Sequence, residues 1–275
     1  MKRVGFGILA VLGCLVLALI VYGYVSDYNI IRVLLVELAP EYSFQKIVKD
    51  YDTTETEHIV WYYPKDVRPP EKDLIRMEQA YSDAAQFWGI DSVEKLSRKI
   101  RFVWLPGESR YDRSRIQKAL GESIQGRAFP GSGIVYSIFS YTPHELNHVI
   151  AGQVNNTTTL LNEGFANYFN KVNWERNVHQ VMVQAKREGA VIPLTDMLTH
   201  KDFRSQNSRI VYAEAAIFVK YLVEERDVGK FKKLYSEVSF SDDKRAVIAK
   251  IEEVYGESFS EFTTKWEDYL NLVIM

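Results

Sequence analysis

One cysteine, five histidines and a net charge of −2 give this 275-residue chain few of the usual clues. With Cys14 alone, no disulfide can form within the chain, which excludes a disulfide-stapled secreted scaffold. The 34 basic residues are scattered among 36 acidic ones, so nothing predicts nucleic-acid binding and no nucleic-acid partner is expected. The one local basic cluster, Arg110, Arg113, Arg115 and Lys118, reads as the solvated face of a short helix near Ser114 to Leu120. Internal repeats and low-complexity segments are absent. An apolar content of 47% is enough for a substantial core at this length.

Charge is missing most conspicuously from Val4 to Val25. That run is long enough for a helix to cross about 30 Å of hydrocarbon. Lys2 and Arg3 precede it and Asp27 follows it, so the expected orientation leaves the N-terminus in the cytoplasm and the remaining chain outside. Residues 1–25 are therefore expected to anchor the chain in a bacterial plasma membrane as a single pass. Two other readings stay open. Val11-Leu12-Gly13-Cys14 looks like a lipobox, which would make Cys14 a lipidated N-terminus, and a cleaved secretory signal is the third. All three place the rest of the chain outside the cytoplasm.

Residues 26–55 read as a juxtamembrane segment, partly helical and interrupted at Pro40. Residues 56–275 read as one α+β domain, strand-rich first and all-helical afterwards. Its expected elements begin with a strand at Glu57 to Tyr63 and a helix reaching Trp88, stopped by Gly89. Leu74, Met77, Tyr81, Ala84 and Trp88 form the stripe of that helix. A strand at Lys99 to Leu105 follows. Gly126 to Ser137 is glycine-rich strand material, read either as an edge strand against which an extended peptide could lie or as a hairpin. Helices are then expected at Pro143 to Gly152, Leu160 to Val172, Val178 to Glu188, Arg209 to Glu225, Lys230 to Glu237, Lys244 to Tyr255 and Ser260 to Leu272. Thr142 is the expected N-cap of the first, with Pro143 in its first turn.

The chemistry concentrates in His144-Glu145-Leu146-Asn147-His148. Residues four apart share a helix face, so His144 and His148 can offer two imidazoles to one metal ion. Glu145, about 100° round the helix from His144, can reach a water beside that ion. A catalytic zinc site usually has three protein ligands and one open position. Glu163, with fourteen residues between it and His148, supplies the third if a second helix returns alongside the first. Asn167, one turn after Glu163, is a candidate to orient a ligand, and Phe165 and Tyr168 are expected to pack the two helices together. His58, His179 and His200 have no such company and read as surface or capping residues.

His144 to His148 followed by Asn162-Glu163-Gly164-Phe165-Ala166-Asn167-Tyr168 resembles the gluzincin metallopeptidases, and most the small bacterial peptidase-MA-like families. Val211 to Leu222 looks like the helix that follows the active site in those families. The resemblance covers roughly Gly126 to Val238. It implies a zincin-like fold with Zn2+ on His144, His148 and Glu163, Glu145 as general base, and a peptide or protein substrate. Tyr212 is the expected donor to the oxyanion, because related enzymes recruit a Tyr or His from a helix beyond the third ligand. The alternative is a catalytically silent domain of the same kind, braced by zinc and kept for binding or sensing at the cell surface.

Overall fold

The computed structural model describes residues 39–90, 99–106, 126–170 and 174–274. The expected anchor at 1–25 with Cys14, the segment 26–38, and the short helix at 114–120 with its basic cluster lie outside these. Among the described residues no helix is long and apolar enough to cross a membrane.

The elements are α1 (Pro40–Ile47), β1 (Tyr51–Glu55), β2 (Ile59–Pro64), α2 (Glu71–Trp88), β3 (Ile100–Trp104), β4 (Gly126–Phe129) and β5 (Ile134–Ser137). Then come α3 (Pro143–Ala151), α4 (Thr159–Phe169), α5 (Trp174–Arg187), α6 (His200–Ser205), α7 (Ser208–Lys220), α8 (Val228–Glu237), α9 (Lys244–Tyr255) and α10 (Phe259–Val273). The architecture is α+β: a small mixed sheet followed by helices. The sheet runs β1-β2-β3-β5-β4, with β2, β3 and β5 parallel and the outer strands antiparallel to their neighbours.

Strand alternation explains which side each helix takes. Ile59, Trp61, Ile100, Phe102 and Val135 point one way and bury against Leu74, Met77, Tyr81 and Ala84 of α2 and Leu146, Val149 and Ile150 of α3. Val103, Ile134 and Tyr136 point the other way, onto Phe44 of α1. The α2 stripe read from the sequence is thus the face that packs on the sheet. Gly89 ends that helix with φ +66°, a left-handed cap that favours glycine.

One expectation needs correction and two gain detail. Pro40 stands in the first turn of α1, a position whose N–H has no helical partner to lose, and the segment before residue 39 lies outside the described residues. Arg101 of β3 holds that helix down. Its guanidinium donates to both Glu41 carboxylate oxygens (2.6 and 2.5 Å) and to the Ser132 carbonyl (2.6 Å), and it lies over the Phe44 ring. Tyr51–Glu55, read as juxtamembrane chain, is a strand paired along its length with β2. Gly126 to Ser137 takes the hairpin form, one of its two expected readings. Pro130–Ser132 form a 3-10 turn, Gly133 takes φ +62°, and β4 becomes the sheet edge. The edge and hairpin readings of that segment both describe it.

The helical half has its own core, centred on α7 and including Phe218, Phe203, Phe231, Tyr235, Phe262 and Trp266. Helix α7 crosses α4 at Gly164, where an added Cβ would stand 2.6 Å from the Ala215 carbonyl oxygen and from Val219 Cγ2. That missing side chain lets two backbones meet, and it sets Glu163 and Tyr212 side by side.

Candidate metal centre

Helices α3 and α4 carry the three expected ligands, and the turn between them brings the helices back together. His148 Nε2 lies 3.1 Å from His144 Nε2 and 3.3 Å from Glu163 Oε2, and His144 Nε2 lies 3.4 Å from the same oxygen. A tetrahedral ion with bonds of about 2 Å to nitrogen and oxygen holds its ligand atoms about 3.3 Å apart. The triangle therefore has the size such an ion requires, and the group could hold a metal. Glu163 Oε2 is buried and makes no hydrogen bond, although two imidazole nitrogens crowd it. A buried carboxylate oxygen without a donor is costly, and a cation at the centre of the triangle would satisfy it.

The surroundings prepare the donors. His148 Nδ1 is 3.0 Å from Asn162 Oδ1. Because that oxygen accepts, Nδ1 carries a hydrogen, and Nε2 is the nitrogen that would offer a lone pair to a cation on losing its proton. Tyr235 Oη donates to the same Asn162 oxygen at 3.3 Å, fixing the amide from the far side. Burial works against charge on His148, but Glu163, aided by Glu145 and Asn162, overrides it and raises the imidazole to about 9. Burial likewise works to raise Glu163, yet attraction to His148 and His144 holds it well below the usual carboxylate range.

Glu145 lines the same cleft, which encloses about 1140 Å³. Its side chain rests on the backbone of the edge strand: a Cβ on Gly126 would come within 2.7 Å of Glu145 Cγ and Oε1. Glycine at 126 is thus what leaves room for the carboxylate. Gly152, expected only to close α3, allows another close approach, since a Cβ there would stand 2.4 Å from Pro130 Cβ of the hairpin turn.

Tyr212 reaches the site from α7. Its phenol donates to Glu163 Oε1 at 3.2 Å and accepts from Arg204 Nη1 of α6 at 2.7 Å, while Arg204 Nη2 lies 3.6 Å from Oε1. Burial, then the charge of Glu163, raises this phenol to about 12 against the pull of Arg204.

Other expectations are redirected. The Asn167 side chain donates to the Glu163 backbone carbonyl, not to its carboxylate. Thr142 precedes α3 but makes no side-chain cap. Phe165 shares a core cluster with Ala151 of α3, and its ring meets Phe87 and Trp88 of α2 and Phe231 and Tyr235 of α8. The Tyr168 hydroxyl donates to Glu224. His58 pairs with Glu78 through Nδ1 and stacks on Tyr81, His200 Nδ1 bonds Thr159 Oγ1, and His179 is exposed. Sequence reading did not assign Asn162, Tyr235 or Arg204 a role. Asn162 was visible beside Glu163 in the motif; Arg204 had no signal, being on a six-residue helix too short for periodicity.

Comparison with protein-family models gives no match. Comparison with curated proteins gives none either, so the resemblance in these two motifs rests on the residues themselves.

Proposed function

We propose that this chain is a zinc-dependent metallopeptidase of gluzincin type, held at the outer face of a bacterial plasma membrane by its N-terminal apolar run and acting on peptide or protein. The observation that carries the reading is the donor triangle of two imidazoles and one carboxylate, 3.1 to 3.4 Å on its edges, with Glu145 in the same cleft. Two nitrogens and one carboxylate oxygen suit zinc among the common divalent ions.

His144, His148 and Glu163 would hold the zinc, whose Lewis acidity would polarise a scissile carbonyl and lower the pKa of water. Glu145 accepts the proton of the attacking water and returns it to the departing amine. Its place over Gly126 puts that carboxylate at the edge strand, on the floor of the cleft. Asn162 keeps His148 in the ligating tautomer, and Tyr235 keeps Asn162 in place.

The test is one purified preparation and one variant. The wild type is expected to carry close to one equivalent of zinc and to hydrolyse peptides. Glu145→Ala should keep the zinc and lose turnover by about a hundredfold or more. Zinc without any turnover by the wild type across a broad peptide library would sink the peptidase reading and favour a binding module.

A further inference from the structure

Both oxygens of Glu163 lie in the site, but they face different groups. Oε2 points at the two imidazole nitrogens and has no hydrogen bond. Oε1 accepts the Tyr212 hydroxyl at 3.2 Å and has Arg204 Nη2 at 3.6 Å. The phenol has only one hydrogen, and it is directed at Oε1. Arg204 Nη1, 2.7 Å from the phenol oxygen, occupies the acceptor side of the same hydroxyl. The hydroxyl is thereby oriented from both ends, and its hydrogen is not free for a second acceptor.

We infer that Arg204 and Tyr212 divide the Glu163 carboxylate, reserving Oε1 for the protein and Oε2 for the metal, so that Glu163 fills one coordination position and another stays open. The inference rests on the zinc reading above and reassigns Tyr212. It becomes a positioning residue acting through Glu163, and Arg204 becomes its partner. The physical reason is competition for one oxygen. A carboxylate near a divalent cation can bind through one oxygen or both, and a hydrogen bond to one of them makes the two-oxygen mode costlier. The arrangement spans three helices: Glu163 from α4, Tyr212 from α7 and Arg204 from α6. The tight α4–α7 crossing at Gly164 fixes the first pair, while the exposed end of Arg204 reaches over from the cleft rim.

The experiment compares metal-free wild type with Tyr212→Phe, Arg204→Ala and Arg204→Lys. Each is titrated with zinc against a chromophoric chelator, then loaded with cobalt(II), whose visible absorption weakens as coordination number rises. Tyr212→Phe and Arg204→Ala should each give a weaker cobalt spectrum and a zinc affinity shifted about tenfold from wild type, because Oε1 is freed to join the ion. Arg204→Lys, which still offers a donor to the phenol, should recover part of both. The melting temperature of the metal-free variants should hardly move, which separates positioning from a purely structural role. Wild-type affinity and spectrum in Tyr212→Phe and Arg204→Ala would overturn this inference and leave the zinc reading standing. A wild type that binds no metal would overturn both.

Discussion

Two buried glutamates on adjoining helices have been given opposite fates. Glu163 of α4 faces two imidazoles, a phenol and a guanidinium, and it is held charged. Glu214 of α7 is fully buried and has one backbone partner, the Ile192 N–H at 3.1 Å, while its other oxygen has none. Burial raises Glu214 to about 8 against that single hydrogen bond. Both residues have lost water; what differs is the company. A carboxylate set among imidazoles and a guanidinium is held charged, and one surrounded by apolar helix faces stays protonated.

The strongest way to break the comparison is to remove charge where it is used. Glu163→Gln should weaken zinc binding by more than about a hundredfold, beyond what loss of a neighbouring hydrogen bond costs. Chelator competition would measure it, and near-wild-type affinity would mean that Glu163 is not a ligand.

Glu214→Gln addresses the other member. The folded state keeps the Glu214 proton up to about pH 8, whereas the unfolded chain loses it near 4.5. Between those values the unfolded state binds fewer protons, so this group makes stability fall as pH rises, by at most about 1.4 kcal/mol per unit. The Gln variant lacks that titration. Its denaturant-derived stability should therefore gain on the wild type between pH 5 and 8 and run parallel to it above. Parallel curves throughout would show that Glu214 titrates normally.

Gly164→Ala tests the contact that places Glu163 against α7. The added Cβ meets backbone at 2.6 Å, so the helices must part. A loss of about 1–3 kcal/mol is expected from overpacking of this kind. Zinc affinity should shift with it as Tyr212 draws away from Oε1. A variant as stable as the wild type would show that the crossing is looser than described.

The mildest change is Gly126→Ala, which pushes on Glu145 and on no ligand. Turnover should fall about tenfold, the order of a general base held slightly out of place, while zinc content stays at the wild-type level. Equal loss of both would tie Gly126 to the metal instead of the base.

The comparison also shows where sequence was informative. The i, i+4 imidazoles and the Glu163 helix followed from spacing alone, because helix periodicity fixes which side chains share a face. Tyr212 enters from a resemblance, as a donor to an oxyanion, and its bond to Glu163 Oε1 depends on a helix crossing that spacing does not encode. Strand β1 was missed because Tyr51-Asp52-Thr53-Thr54-Glu55 is an outer strand with polar, largely exposed side chains, so no alternation marks it. The neutral state of Glu214 was invisible for a similar reason. An acidic residue within Val211 to Leu222 reads as one polar position on an amphipathic helix until the packing shows it fully buried.

Arg101 ties three distant stretches of chain into one knot: the start of α1, the middle of β3 and the turn before β5. Mechanical load arriving along the backbone from the N-terminal side would meet this guanidinium before it reached the cleft. Pulling on α1 would load β3 and the Ser132 turn first, on the sheet face opposite the one that packs on α3.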